Sequence, residues 1–220
     1  MTTAKIVSIT QPLIDGITSA QDFIAYTARV SNPGNQMNTD TSENLLKYCF
    51  RNKHFSIFEM VNVVMQIDTT RDIARQILRH RSFSFQEFSQ RYADPTLALG
   101  FDYREARLQD TKNRQNSIEI ADETQEEISH KWIALQDDVL AAARLAYRKA
   151  VDMGIAKEQA RSVLPEGMTR SRLYMNGTLR SWIHYCELRC ANGTQKEHRQ
   201  VALDCQEQLT QHFPFLNTVW

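Results

Sequence analysis

From about Asp122 to Met153 the chain repeats apolar residues at helical spacing, with Ile128, Trp132, Leu135, Val139, Ala142 and Tyr147 on or near one stripe. That period predicts one long amphipathic helix whose apolar side must be covered. Gly154 is its C-terminal stop. Strands are predicted at Ala4–Thr10, Val61–Ile67 and Ser171–Met175. Helices are predicted from about Ser19 to Arg29, over Thr41–Asn52, Thr70–Arg81 and Ala156–Val163, and over Leu179–Cys190 and Gln195–Phe213. Ser19 is a candidate N-cap with Asp22 in its first turn, and Leu45, Leu46, Cys49 and Phe50 share one helix face. Ser31-Asn32-Pro33-Gly34 reads as a loop, and Leu99–Glu119, polar and without period, as a loop or insertion. No repeat and no linker divides the sequence. The expectation is a single helix-rich α+β domain over residues 1–220, with a small, mainly antiparallel central sheet flanked by helices.

Lys+Arg and Asp+Glu stand at 26 each, so the formal net charge is zero. A protein that grips a nucleic-acid polymer carries a basic excess to neutralise phosphates, and this chain lacks one. Any anion site must be a local concentration of arginine. No apolar run approaches the ~20 residues of a membrane span. Cys49, Cys186, Cys190 and Cys205 form no CxxC pair, and no signal peptide is visible at Met1–Thr10. Reduced thiols in a cytoplasmic protein are therefore expected. Zinc on Cys186 and Cys190 with His184 and His198 is the alternative, without the usual paired-ligand spacing.

Arginine concentrates in one place. On the predicted helix Thr70–Arg81, Ile73, Ala74, Ile77 and Leu78 share one side, while Arg71, Arg75 and Arg79 line the other. Arg79-His80-Arg81 follows, and Phe83–Tyr92 alternates as an extended segment that would turn Glu87, Ser89 and Arg91 to one face. Guanidiniums at a helix end suit phosphate oxygens, although such a cluster is equally a solvated cap.

The string RHR, seven residues, then Ser89 resembles the signature of the flavin-dependent thymidylate synthases. Ala28-Arg29-Val30-Ser31, His54 through Glu59, Ala160-Arg161 through Pro165, and Leu179-Arg180-Ser181 through Leu188-Arg189 are similar to further elements of that family, in the same order. The chain departs from the pattern at Met60, where many relatives have His, at His184, often Asn, and at Asn192-Gly193, which replaces a Ser-His pair.

The resemblance implies reductive methylation of dUMP to dTMP, with FAD as cofactor and NADPH and 5,10-methylenetetrahydrofolate as co-substrates. It implies a homotetramer with shared active sites. Flavin contacts would come from Ser56, Arg79, His80, Arg81, Glu87, Thr178, Arg180 and His184, with Asn176 the alternative to Thr178. Gln76, Arg79, Glu87, Ser89, Gln90, Arg91, Arg161 and Arg189 would hold dUMP. No enzyme cysteine is required. Arg189 is the candidate catalytic residue, an electrostatic activator of the uracil ring, and Ser89 a positioning hydroxyl with no dependable base beside it. No metal is implied, and no GxGxxG run suggests a Rossmann domain. Two rival readings are a nucleic-acid-binding module using the Arg71/Arg75/Arg79 face and a catalytically inert helical interaction protein.

Overall fold

Ser19 accepts the Asp22 N–H at 3.0 Å and so starts α1, Ala20–Ala28, as its side chain predicts. The computed structural model describes residues 2–120 and 126–220. β1 (Thr3–Ile9) precedes α1, and α2 (Ser42–Arg51) follows it. β2 covers Asn62–Thr70, α3 Arg71–Ile77, β3 Ser84–Glu87 and α4 Pro95–Ala98. β4 (Arg107–Gln109) and β5 (Ser117–Glu119) precede α5 (Glu126–Asp152) and α6 (Lys157–Ala160). β6 (Arg170–Thr178), α7 (Leu179–Arg189) and α8 (Lys196–His212) complete the chain. The fold is the expected mixture of helix and a small antiparallel sheet; the main sheet runs β1-β2-β6-β3.

Two compact units share these elements. Thr2–Ile67, Leu78–Gln86 and Tyr174–Trp220 form a terminal unit; Asp68–Ile77 and Glu87–Leu173 form a middle unit. The chain passes from one to the other inside β2, β3 and β6. In the terminal unit, α8 lies on β1, where Gln208 Oε1 accepts the Ile6 N–H at 3.2 Å. Its core gathers Ile24, Leu46, Phe58, Met65, Trp182, Tyr185 and Leu209, all fully buried, and Phe58 stacks on Phe215 at 5.4 Å between centroids.

In the middle unit, α5 buries Gln136, Leu140, Ala143 and Tyr147. The predicted stripe is corrected here: of its six residues only Tyr147 is buried, while Ile128, Trp132, Leu135 and Val139 face outward. The buried stripe is the neighbouring one, displaced by one position at Gln136, Leu140 and Ala143. Predicted positions 122–125 lie outside the described residues, and Gly154 ends the helix at φ +81.

Two further expectations change. Thr70–Arg81 is not one helix, because β2 runs through Thr70 and α3 stops at Ile77. Leu99–Glu119 is structured: β4 pairs with β5 as an antiparallel hairpin, and Phe101 bridges Thr169. Arg104 anchors the segment by donating to Thr70 Oγ1 at 2.5 Å, both Asp72 carboxylate oxygens and the Gly167 carbonyl. The buried Gln136 side chain meets both backbone polar groups of Arg104. Polar fixings of this kind leave no apolar period for a sequence reading to detect.

Candidate active site

In the terminal unit β6 runs directly into α7. Thr178 ends the strand and caps the helix, its hydroxyl accepting the Ser181 N–H at 3.2 Å. The junction places Arg180 and His184, about one turn apart, on the wall of a cleft of about 440 Å³. Phe55, Glu59, Ser82, Ser181, Ile183 and Glu187 line the rest. Glu59 accepts from Arg180, and both side chains are half-exposed. Such a surface pair contributes little, so Arg180 stays available to a ligand. Ser56 is exposed in the short 3-10 helix Phe55–Met60 beside the cleft.

Arg79 and Arg81 are exposed, and the imidazole between them turns inward. His80 Nε2 accepts from Arg189 Nε at 3.0 Å. Tyr185 meets the His80 ring edge-on at 4.9 Å between centroids, and its hydroxyl is bonded to Nε2 of the fully buried His198 at 3.1 Å. Burial first, then the charges of Arg189, His184 and Arg79, lowers the His80 pKa to about 4. Burial, then Arg189 and His80, takes His198 to about 3. Burial holds the Tyr185 hydroxyl well above its ordinary value. Both imidazoles are neutral near pH 7, against an ordinary value of about 6.5.

The middle unit has its own pocket, also about 440 Å³, lined by Arg71, Arg75, Gln90, Glu158, Arg161, Ser162, Leu164 and Glu166. Arg75 pairs with Glu166, and Arg91 donates to Glu158 at 3.0 Å. Arg161 Nε donates to the Glu158 carbonyl at 3.3 Å. Glu87 Oε1 accepts from Ser171 Oγ at 2.7 Å and from Arg71 at 3.5 Å. Gln90 is only 3% exposed, and its Nε2 has no hydrogen-bond partner. A buried donor left unmet costs about 1–3 kcal/mol, and Gln90 is the one such residue in the lining of this pocket among the described residues.

The structure thus joins Arg189 to His80 and sets Arg180 with His184 in the terminal unit. It sets Gln90 with Arg161 in the middle unit, and Arg91 on a carboxylate of the same pocket. The predicted common face of Glu87, Ser89 and Arg91 is corrected. β3 ends at Glu87, and the Ser89 carbonyl then accepts the N–H groups of Tyr92 and Ala93 in a turn. Ser89 is exposed and Gln76 half-buried on α3. Sequence reasoning gave no ligand role to Glu158, Glu166 or Glu59. Glu158 stands three positions before Arg161 on one helical turn, a readable signal; Glu59 meets Arg180 across 121 positions, which leaves none. Cys49, Cys186 and Cys205 are buried free thiols and Cys190 is half-buried. Among the described residues no group of three or more His, Cys, Asp or Glu is arranged to hold a metal ion, and no helix is long and apolar enough to cross a membrane.

One unit thus holds a pocket with three arginines and two glutamates, and the other a cleft that mixes Arg180 and His184 with Glu59, Glu187 and apolar wall; polar clefts of this kind are those of an enzyme. Residues 12–215 match the family described as "Thymidylate synthase complementing protein". The chain is 50% identical over 214 residues to the "Flavin-dependent thymidylate synthase" of Synechocystis sp., covering 96% of this chain and 95% of that one. It is 49% identical over 211 residues to the "Probable flavin-dependent thymidylate synthase" of Paramecium bursaria Chlorella virus 1, again covering 96% and 95%. In fold it is similar to the crystal structure of a UMP/dUMP methylase, PolB from Streptomyces cacaoi, bound with 5-Br dUMP. That likeness has a TM-score of 0.79 at 24% identity and covers 98% of this chain and 93% of PolB. The chain belongs to the flavin-dependent thymidylate synthase family.

Proposed function

We propose that the chain converts dUMP to dTMP by reductive methylation, with 5,10-methylenetetrahydrofolate as carbon donor, FAD as cofactor and NADPH as reductant. The observation that carries the substrate is the unmet Gln90 amide in an arginine-lined pocket. Arg71, Arg75 and Arg161 supply charge for a phosphate, and a primary amide donor suits a carbonyl acceptor on a pyrimidine. Gln76, Arg79, Glu87, Ser89, Arg91 and Arg189 complete the nucleotide contacts.

The terminal-unit cleft fits a flavin by its chemistry. Phe55 and Ile183 offer apolar wall, and Arg180, His184, Ser82 and Ser181 offer donors. Ser56, Arg79, His80, Arg81, Glu87, Thr178, Arg180 and His184 would hold FAD. When bound, it supplies redox chemistry that no side chain provides. Arg189, always protonated, stabilises negative charge developing on the uracil ring. Ser89 orients the nucleotide.

No thiol attacks the ring in this reading. Burial raises the pKa of Cys49, Cys186 and Cys205, which suppresses their thiolates. Cys190 is held lower by a hydrogen bond from Cys186, so Cys190→Ser is the informative replacement, and it leaves dTMP formation intact. One domain of the family type spans residues 1–220, as a match running through both units supports. A homotetramer in the cytoplasm completes the proposal. The outward stripe of α5 supports the assembly, and free thiols suit a reducing compartment.

The test is an absorption spectrum of the purified protein, followed by assay with dUMP, methylenetetrahydrofolate and NADPH. A flavin spectrum and dTMP are expected. Protein that stays colourless after incubation with FAD, makes no dTMP and binds oligonucleotides with steep salt dependence overturns the proposal.

A further inference from the structure

Arg189 ends on a histidine, and the difference from an acid matters. A carboxylate would fix the guanidinium and cancel much of its charge. The acceptor here is His80 Nε2, at 3.0 Å from Arg189 Nε. An imidazole accepts at Nε2 only when that nitrogen carries no proton, so the neutral ring bears its hydrogen on Nδ1. The surroundings keep the ring in that form. Tyr185 sits edge-on to it at an interplanar angle of 76°, and Phe83 does so at 85°. Tyr185 is in turn tied through its hydroxyl to the buried His198. His184, Arg79 and Arg189 disfavour a further positive charge on the ring, and burial disfavours it most.

We propose that His80 is a positioning residue: its Nε2 holds Arg189 by one side of the guanidinium while leaving the positive charge uncompensated. The proposal rests on the reading of Arg189 as activator of the uracil ring. Arg189 needs direction without neutralisation, because a neutralised guanidinium stabilises developing negative charge poorly. A neutral ring nitrogen meets both needs.

Glutamine reaches the position of Nε2 and asparagine that of Nδ1. In His80→Gln, whose amide oxygen can still accept from Arg189, kcat at saturating FAD and dUMP falls by about tenfold less than in His80→Asn. In His80→Asn, kcat at saturating FAD and dUMP falls about a hundredfold, the scale of a displaced catalytic group, and by more than the KM for dUMP changes. Equal losses in both variants, together with lower melting temperatures, mean that His80 is merely structural and overturn the proposal. A second measurement needs no turnover: imidazole nitrogen NMR of the flavin-free wild-type protein. An unprotonated His80 Nε2 whose resonance moves in Arg189→Ala is expected. A hydrogen on Nε2, or no response to Arg189→Ala, overturns it. If wild-type protein makes no dTMP, the proposed function fails, and the NMR result still decides the pair.

Discussion

A histidine that accepts from an arginine must stay neutral, and this ties stability to pH. Unfolded, both His80 and His198 take a proton at about 6.5; folded, they wait until about 4 and about 3. Between those limits the unfolded chain binds more protons, so their contribution is complete above about pH 6.5 and declines as pH falls toward 3. Calorimetry from pH 8 to 4 should show the melting temperature dropping on the acid side, and less steeply in His198→Leu. An unchanged acid slope in that variant would remove His198 from the account. Gln90→Leu deletes the unmet donor and should raise the KM for dUMP about tenfold or more with little loss of stability; an unaltered KM would leave the pocket without its key group. At this scale the RHR-x7-Ser string and its companion elements pointed to the candidate site residues, because their order along the chain is visible. The pairing of Arg189 with His80 was not, since it joins positions 109 apart.

Gly177 shows how an element can set a site it does not line. Phe83 lies over it so closely that a Cβ there would collide with the ring. Phe83 also meets Trp182 at 4.8 Å and His80 at 6.5 Å between centroids. Gly177→Ala should therefore push Phe83 toward His80 and lower kcat while leaving the middle-unit pocket's affinity for inorganic phosphate unchanged; wild-type kcat would show that the ring yields elsewhere. Arg104→Met should cost about 2–3 kcal/mol by denaturant unfolding, because the half-buried Asp72 is left without its partner. A loss below about 0.5 kcal/mol, the size of an ordinary surface change, would make the anchor dispensable. Caps and stops such as Ser19 and Gly154 were legible because they act through neighbours in sequence. The β4–β5 hairpin was not, since Arg104 and Gln136 hold its segment by hydrogen bonds that leave no hydrophobic period.

For the molecule as a whole, the outer stripe of α5 is the largest departure from the sequence reading. Trp132, Leu135 and Val139 are 38%, 58% and 49% exposed and follow one another along one helix, as apolar residues at an interaction surface do. Leu135→Glu combined with Val139→Glu should break the proposed tetramer into smaller species in analytical ultracentrifugation with the helix content kept; an assembly that survives both charges would place its contacts elsewhere. Helical period revealed that the stripe exists, but period alone cannot say whether a helix is covered by its own chain or by another. The arrangement of α8 on β1 carries a consequence for biogenesis. β1 and α8 lie far apart in the sequence, so β1 cannot gain this cover until α8 has been synthesised. A stop codon ahead of Lys196 should therefore leave β1 uncovered and yield an aggregating fragment, not a smaller enzyme.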